Sequence, residues 1–203
     1  MTGHSHDVGC IVLAAGGSSR FGESKQLQVI AGETLVHRAV RAGFECGAKF
    51  VVLVTGADES EVSSAVSDFD TLVISNNSEW ESGLASSLRV GLDAAEAHRP
   101  FDGVLVTLAD QPLVDADSLK TLVASFDREH RIIASRYAGA IGVPVLIGAE
   151  YLSELMQLEG DRGAGPWIRA HHDAVTTIEM PGAAVDVDTP EDFFPFRQAS
   201  KAE

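Results

Sequence analysis

A stretch of small residues near the start of the chain contains two of its fifteen lysines and arginines. It follows an apolar run and reads Leu13, Ala14, Ala15, Gly16, Gly17, Ser18, Ser19, Arg20, Phe21, Gly22, Glu23, Ser24 and Lys25. Small side chains let backbone N–H groups approach a ligand closely, and successive N–H groups can bind phosphate oxygens. Arg20 and Lys25 can neutralise the negative charge that develops on a leaving pyrophosphate. These residue types predict a triphosphate-binding loop.

The spacing of the glycines excludes two common phosphate-binding motifs. A dinucleotide GxGxxG motif fails because Ser18 stands two residues after Gly16. Gly17 and Gly22 have the spacing of a P-loop, but Lys25 comes two residues too late for one. A Gly-rich turn with solvated cations is the alternative interpretation of this stretch.

A carboxylate follows directly after another apolar run, at residues 104–108. Ligands of open α/β sheets bind beyond the carboxyl ends of the strands, which is where Asp110 is expected. There it is suited to hold Mg²⁺, which bridges phosphate oxygens and offsets charge during nucleotidyl transfer. The alternative is a turn-forming Asp before Gln-Pro. Asp115 or Asp117 is expected to cap the next helix.

Two further polar segments could bind a nucleotide or a metal. Residues 76–82 are polar with one Trp, and Gly83 opens a helix whose N-terminal N–H groups favour anions. Trp80 has packing as its more common role. Near the C-terminus, Asp186 and Asp188 alternate with apolar residues before a helix that Thr189 could cap.

The pattern along the chain predicts the elements that position these residues. Short β-rich runs occur at residues 10–15, 50–55, 71–74, 104–108, 131–135, 143–147 and 175–179. Helical patterns occur between several of them, at residues 34–46, 60–67, 83–98, 118–129 and 150–158. This alternation predicts a single α/β domain: a mainly parallel, doubly wound, Rossmann-like sheet with helices on both faces. Residues 136–140 resemble a hairpin connection, which adds a small antiparallel element. We expect a disordered segment at 1–8, the domain at 9–197 and a tail at 198–203.

The composition of the chain disfavours some classes of binding partner and indicates a cellular location. The formal charge of −15 disfavours sequence-independent binding to nucleic acid or to an anionic membrane. Two cysteines without metal-ligand spacing, together with the lack of a signal-like or membrane-spanning run, predict a cytoplasmic protein.

The segments together resemble one family, the MobA-like nucleotidyltransferases, and especially their molybdenum cofactor cytidylyltransferases, which have a nucleotide-diphospho-sugar transferase-like fold. The first loop is similar to the signature of that family in the pattern Leu13-Ala14-Ala15-Gly16-x-Ser18-x-Arg20-Phe21-Gly22-x-x-Lys25. The second loop is similar to its metal-binding Leu-Ala-Asp-Gln-Pro segment, and residues 186–192 to its Asp-Ile-Asp-Thr-Pro-Glu-Asp segment. Alignment of that last motif favours Asp188 over Asp186 as a second metal ligand beside Asp110.

The resemblance also implies further roles. Backbone at Gly83 and the hydroxyl of Ser87 are expected to contact the nucleotide, and Ala15, where guanylyl-transferring relatives have Gly, favours CTP. The full nucleotide-binding set that we expect is Leu13, Ala14, Ala15, Gly16, Gly17, Ser18, Arg20, Lys25, Gly83, Ser87 and Asp110. Catalysis is expected from Arg20, Lys25 and Asp110, with Mg²⁺ as the cofactor.

The expected reaction is transfer of CMP from CTP to the terminal phosphate of a molybdopterin. Residues 142–146 and 158–164 resemble acceptor-side segments, but Gly165 stands where the family often has Arg. Arg162 and Arg169 are nearby in sequence and could replace that charge, whereas His171 and His172 are expected to be surface or structural residues. A molybdenum hydroxylase or its cofactor-insertion chaperone is a possible partner.

Four alternatives remain open on the sequence alone. The donor could be GTP or ATP, and the acceptor could be a sugar phosphate or an isoprenoid precursor. The protein could instead be a non-catalytic carrier of molybdenum cofactor. An NAD(P)-dependent oxidoreductase of the same family is a fourth reading, which the missing GxGxxG motif weakens.

Overall fold

The structure is a computed structural model that describes residues 6–18, 21–161 and 163–199. Within these ranges, seven strands form the main sheet in the order β5-β4-β1-β6-β8-β7-β9. They are β1 (Val8–Leu13), β4 (Phe50–Thr55), β5 (Val73–Asn76), β6 (Gly103–Leu108), β7 (Ile132–Tyr137), β8 (Ala140–Gly148) and β9 (Val175–Glu179). Two short strands, β2 (Val29–Ile30) and β3 (Glu33–Thr34), form a separate antiparallel pair.

Helices cover both faces of the main sheet. They are α1 (Leu35–Glu45), α2 (Glu59–Ser64), α3 (Leu84–His98), α4 (Ala116–Ala124), α5 (Leu152–Leu155), α6 (Gly165–Ala170) and α7 (Pro190–Ala199). Alternate residues of β1 point to opposite faces, as strand geometry requires. Cys10 and Val12 pack with α1, α2 and α4, whereas Ile11 and Leu13 pack with α3, α5 and α6. The predicted doubly wound α/β domain is therefore confirmed.

The strand order creates a crevice at the carboxyl end of β1. This strand pairs in parallel with β4 on one side and with β6 on the other. The chain thus runs outward from β1 to β4 and β5, and then returns to continue on the other side with β6. Such a reversal of strand order is the usual place for a ligand in an open α/β sheet.

An antiparallel part follows β6. Strand β8 is antiparallel to both of its neighbours, β6 and β7. The β7–β8 turn consists of Ala138 and Gly139, both with positive φ, as in a type I′ turn. This confirms the predicted hairpin and the small antiparallel element.

Several element boundaries differ from the prediction. Strands 50–55 and 175–179 match, but β1 begins at Val8 and ends at Leu13 instead of continuing to residue 15. Helix α4 ends at Ala124 and not at residue 129, because the Asp127 side chain accepts hydrogen bonds from the N–H groups of Glu129 and His130 and forms a turn. In the described part of the chain, no helix is long and apolar enough to cross a membrane.

Candidate active site

The loop after β1 is fixed by backbone hydrogen bonds to both neighbouring strands. Ala14 donates to the carbonyl of Val54 (2.9 Å), and the carbonyl of Leu13 accepts from Ala109 (3.1 Å). A side chain at Gly56 would collide with the carbonyl oxygen of Ala15, so this glycine allows the two loops to approach closely. The loop therefore starts from a rigid position between β4 and β6.

Gln26, which the sequence analysis did not select, holds the remainder of this loop. Its side chain is only 3% exposed. The amide Nε2 donates to the carbonyls of Ala14 (3.3 Å) and Gly16 (2.7 Å), while Oε1 accepts from the hydroxyls of Ser18 and Ser24 (both 3.0 Å). The side-chain amide can donate two hydrogen bonds and accept two, and all four are made to this loop. Gln26 therefore fixes the conformation of the loop.

Lys25 joins the loop to two carboxylates from distant parts of the chain. Its Nζ lies 2.6 Å from Oδ2 of Asp110 and 2.8 Å from Oδ1 of Asp188. Burial alone would lower the pKa of the Lys25 ammonium, but the two carboxylates outweigh burial and raise this pKa. The lysine therefore stays charged between the two acids.

The two carboxylates are brought together by their backbones. Val187 donates its N–H to the carbonyl of Asp110 (2.9 Å), which fixes the C-terminal segment beside the loop after β6. Asp192 accepts from the N–H of Thr189 (2.8 Å), and the Thr189 hydroxyl accepts from the N–H of Asp192 (3.3 Å). This reciprocal pair starts α7 where Thr189 was expected to cap it, and it holds Asp188 just before the helix.

A third acid, Asp186, lies beside this pair. Burial raises the pKa of Asp186, and the negative charges of Asp110 and Asp188 raise it further, although a hydrogen bond from Gln111 acts in the opposite direction. The sequence analysis favoured Asp188 over Asp186, and both side chains line the same cavity. Of Asp186 and Asp188, it is Asp188 that contacts Lys25 in the described structure.

The start of α3 forms the opposite wall. Gly83 has φ +108, and a Cβ there would meet Gly160 and Asp161, so only a glycine fits this approach. Ala85 donates to the carbonyl of Gly160 (3.1 Å), which ties the start of α3 to Gly160. The Trp80 ring lies against Gly17, where an added Cβ would be 2.5 Å from the ring. Trp80 thus packs on the glycine loop and also lines the cavity.

These walls enclose a cavity of about 660 Å³, within the usual size range of small-molecule sites. The predicted residues that line it are Leu13, Ala14, Ala15, Gly16, Lys25, Gly83, Ser87, Asp110 and Asp188. The structure thus brings nine of the predicted residues to one cavity. Lining residues that the sequence analysis did not assign to the site are Gln26, Glu81, Leu84, Leu108, Ala109 and Asp161.

Some expected residues lie elsewhere. Gly17 and Ser18 do not line the cavity; Gly17 contacts Trp80, and the Ser18 hydroxyl accepts from the N–H of Lys25 (3.0 Å). Arg20, expected to be catalytic, and Arg162 lie outside the described residues. Arg169 is exposed and away from the cavity.

The two histidines that follow α6 also lie outside the cavity. The ring of His171 packs against Trp167, and its Nε2 lies 3.2 Å from a carboxylate oxygen of Glu154. His172 is exposed and pairs with its neighbour Asp173. Neither lines the cavity, so both have the surface or structural position that was expected of them.

The carboxylates present fit a magnesium ion of the type expected. Asp110 Oδ1 is buried and has no hydrogen-bond partner among the described residues, so one oxygen remains for a ligand. Within residues 6–18, 21–161 and 163–199, no three His, Cys, Asp or Glu side chains are arranged to hold a metal by themselves. Mg²⁺ is commonly held by one or two carboxylates, with substrate phosphates and water completing its shell. Asp110 and Asp188 could supply such a pair.

Comparisons with known proteins identify the family of the chain. The model of the MobA-like NTP transferase domain matches residues 10–175. The chain is 25% identical to the purine catabolism protein PucB of Bacillus subtilis, over 93% of this chain and 95% of that protein. It is 23% identical to the molybdenum cofactor cytidylyltransferase of Escherichia coli, over 92% and 93% of the two chains.

Solved structures show the same fold. The crystal structure of Rv0371c from Mycobacterium tuberculosis superposes with a TM-score of 0.80 and 26% identity, covering 96% of this chain and 99% of that one. The same mycobacterial protein has also been crystallised with manganese.

Proposed function

The chain belongs to the MobA-like NTP transferase family, and we propose that it transfers CMP from CTP to the terminal phosphate of a molybdopterin. The observation that carries this proposal is the contact of Lys25 with both Asp110 and Asp188 at a cavity lined by the β1 loop. It unites a phosphate-binding backbone, a cation and two potential metal ligands. Nucleotidyl transfer needs these groups together.

The roles of the residues follow from their positions. Backbone of the β1 loop binds phosphates, and the Lys25 ammonium balances negative charge on the pyrophosphate as it leaves. Asp110 and Asp188 would hold Mg²⁺, which would supply positive charge against the phosphates of the nucleotide. Manganese in the mycobacterial relative supports a divalent ion here.

The chemistry requires no protein base. An oxygen of the acceptor phosphate forms a bond to the α-phosphorus of CTP, and the bond from that phosphorus to the pyrophosphate oxygen breaks. The attacking oxygen is already ionised at neutral pH, so no proton has to be removed from it. The positions of His171 and His172 outside the cavity are consistent with this reaction.

Two observations support CTP and a pterin as the substrates. The Escherichia coli relative carries the name molybdenum cofactor cytidylyltransferase and matches nearly the whole chain. Ala15, the residue that favours CTP in the resemblance, lines the cavity. A molybdenum hydroxylase or its insertion chaperone would receive the product.

Pyrophosphate release tests the proposal. The purified protein is mixed with Mg²⁺ or Mn²⁺ and with CTP, GTP or ATP, each with and without molybdenum-loaded molybdopterin. We expect release that requires both CTP and the pterin, and a product heavier than the pterin by one cytidylyl group, which is CMP less one water. Release with another nucleotide, or with a sugar phosphate or isoprenoid-precursor phosphate instead of the pterin, would contradict the assigned substrates. Tight binding of the pterin without any release would indicate a carrier.

A further inference from the structure

The loop of residues 158–161 is attached to the first turns of α3 by two hydrogen bonds. The guanidinium Nη1 of Arg89 donates to the carbonyl of Leu158. The backbone N–H of Ala85 donates to the carbonyl of Gly160 (3.1 Å). This N–H lies at the start of α3, where no carbonyl of the same helix is available to it. A charged donor makes a hydrogen bond about twice as strong as a neutral one. Arg89 therefore contributes strongly to holding this loop.

The same loop presses on the N-terminus of α3. A Cβ on Gly83 would lie 2.4 Å from Oδ1 of Asp161 and 2.6 Å from the carbonyl carbon of Gly160. The loop thus has no room to move toward the helix, and the hydrogen bond from Arg89 opposes movement away from it. The position of Asp161 therefore depends on Arg89.

Asp161 presents its carboxylate to the cavity, which its side chain lines. Within residues 6–18, 21–161 and 163–199, this carboxylate makes no hydrogen bond or ion pair. A negative group repels phosphates, so the part of a substrate that Asp161 contacts is not a phosphate. An ionised carboxylate only accepts hydrogen bonds. Asp161 is therefore suited to contact amino, ring N–H or hydroxyl groups.

We propose that Asp161 accepts a hydrogen bond from such an uncharged donor group of a substrate, and that Arg89 is the positioning residue that holds Asp161 at the cavity. The inference rests on the proposed nucleotidyl transfer. The nucleoside of CTP and the ring system of a pterin both carry donors of this class, so the test measures each substrate separately. Arg89 is not among the residues that line the cavity. It acts through the carbonyl of Leu158.

Calorimetric titration tests both roles in wild type, Asp161→Ala, Arg89→Met and the double variant. One series measures the Kd of CTP with Mg²⁺. The other measures the Kd of molybdenum-loaded molybdopterin on protein saturated with the α,β-methylene analogue of CTP, which cannot release pyrophosphate. The stoichiometry is fitted as well, so an unfolded fraction lowers the number of sites and leaves the Kd unchanged.

The expected change is opposite to the effect of charge alone. Loss of a negative charge from the cavity would strengthen the binding of phosphorylated ligands. We expect Asp161→Ala to raise the Kd of one of the two ligands about tenfold, because a charge-assisted hydrogen bond is lost. Arg89→Met should raise the Kd of the same ligand about threefold to tenfold, since Asp161 is then present but less well placed.

The double variant separates positioning from other effects of Arg89. If Arg89 acts through Asp161, the Kd of the double variant should lie within about twofold of that of Asp161→Ala. A general loss of positive charge would instead add to the effect of Asp161→Ala. Arg89→Lys keeps a cationic donor for the one carbonyl, and its Kd should return to within about threefold of wild type. The matched control is Arg99→Met at the other end of α3, where Arg99 pairs with Asp7. Its Kd values should stay within about twofold of wild type.

The outcomes separate this inference from the proposed function. Unchanged or tighter binding of both ligands by Asp161→Ala would overturn the role of Asp161, and an additive effect of Arg89→Met would overturn the role of Arg89. Either result would leave the cytidylyltransferase proposal standing. Weaker binding of CTP would assign the donor group to the nucleotide, and weaker binding of molybdopterin would assign it to the acceptor. Both would support the inference even if no pyrophosphate were released. A wild type that binds neither ligand would contradict the inference and the proposed function together.

Discussion

The ammonium of Lys25 lies 2.6 Å from a carboxylate oxygen of Asp110, although 85 positions separate the two residues. The same nitrogen contacts Asp188, which is 163 positions away in the chain. One lysine thus links the loop after β1, the loop after β6 and the segment that leads into α7. This link makes the arrangement of the acids depend on the position of the β1 loop.

Replacement of Lys25 should make the thermal stability of the protein more dependent on a divalent cation. In Lys25→Met, Asp110 and Asp188 lose the positive charge between them and repel each other. Mg²⁺ would relieve this repulsion, so it should raise the Tm of the variant more than that of wild type. We expect a difference of at least about 2 °C, since each kcal/mol shifts the Tm by roughly 2–4 °C at this chain length.

Calorimetric scans with EDTA and with Mg²⁺ measure this difference. Lys120→Met is the control, because Lys120 pairs with the exposed Asp117 on α4. An equal response to Mg²⁺ in wild type and both variants would show that Lys25 does not balance a metal-binding pair.

Removal of the Gln26 amide should loosen the β1 loop. The variant Gln26→Leu leaves the carbonyls of Ala14 and Gly16 and two serine hydroxyls without their present partner. Groups left unpaired inside a protein cost about 1–3 kcal/mol each, and part of that cost is recovered if water enters. We expect the free energy of unfolding in urea to fall by about 2 kcal/mol and the KM for the nucleotide to rise.

Gln28→Leu provides the matched comparison two positions further on. The side chain of Gln28 makes one exposed hydrogen bond in the described structure, to Glu23, so its loss should change the stability by less than about 0.5 kcal/mol. If the two substitutions had the same effect on stability and KM, Gln26 would have no special role in holding the loop.

The cap of α4 gives a prediction about pH. Asp115 accepts from the N–H (2.9 Å) and the hydroxyl (2.7 Å) of Ser118, which confirms that one of the two expected acids caps this helix. Asp115→Ala should lower the free energy of unfolding by about 1 kcal/mol at neutral pH. The bonds from Ser118 lower the pKa of Asp115 in the folded protein. Its stabilisation is therefore complete above the ordinary pKa of 3.8 and is lost as the pH falls through the lower, folded value.

Urea unfolding at pH 7 and at lower pH tests this linkage. Asp117→Ala removes the other acid of the same turn, which is exposed and pairs only with Lys120 in the described structure. It should change the stability by less than about 0.5 kcal/mol. A penalty for Asp115→Ala that persisted unchanged below its folded pKa would contradict the charged cap.

Much of the fold follows from local patterns. Buried strands such as β4 are continuous apolar runs, and the hairpin at Ala138 and Gly139 has a turn typical of its sequence. Strands β2 and β3 have only two residues each, too few to show a period of two. Helix α6 is six residues long and follows glycines, so its helical pattern is hidden as well.

Part of the candidate site could be predicted from the sequence, because the order of buried strands determines where it lies. Asp110 and the β1 loop follow buried strands, and adjacent parallel strands bring their carboxyl ends together. The position of Asp188 depended on a family resemblance, because nothing local shows that the start of α7 returns to β6. Gln26 was missed, since its importance lies in hydrogen bonds to backbone and hydroxyl groups that only the folded chain brings near.

The central claim is that Asp110, with Lys25 and Asp188, forms a centre for nucleotidyl transfer. The most direct test is the rate of pyrophosphate release from CTP, with Mg²⁺ and molybdopterin, in wild type, Asp110→Asn and Asp117→Asn. We expect Asp110→Asn to lower kcat about a hundredfold or more, since loss of a metal ligand removes several kcal/mol of transition-state stabilisation. Asp117→Asn, an exposed acid outside the cavity, should retain the wild-type rate. Near-normal turnover by a folded Asp110→Asn protein would contradict the account.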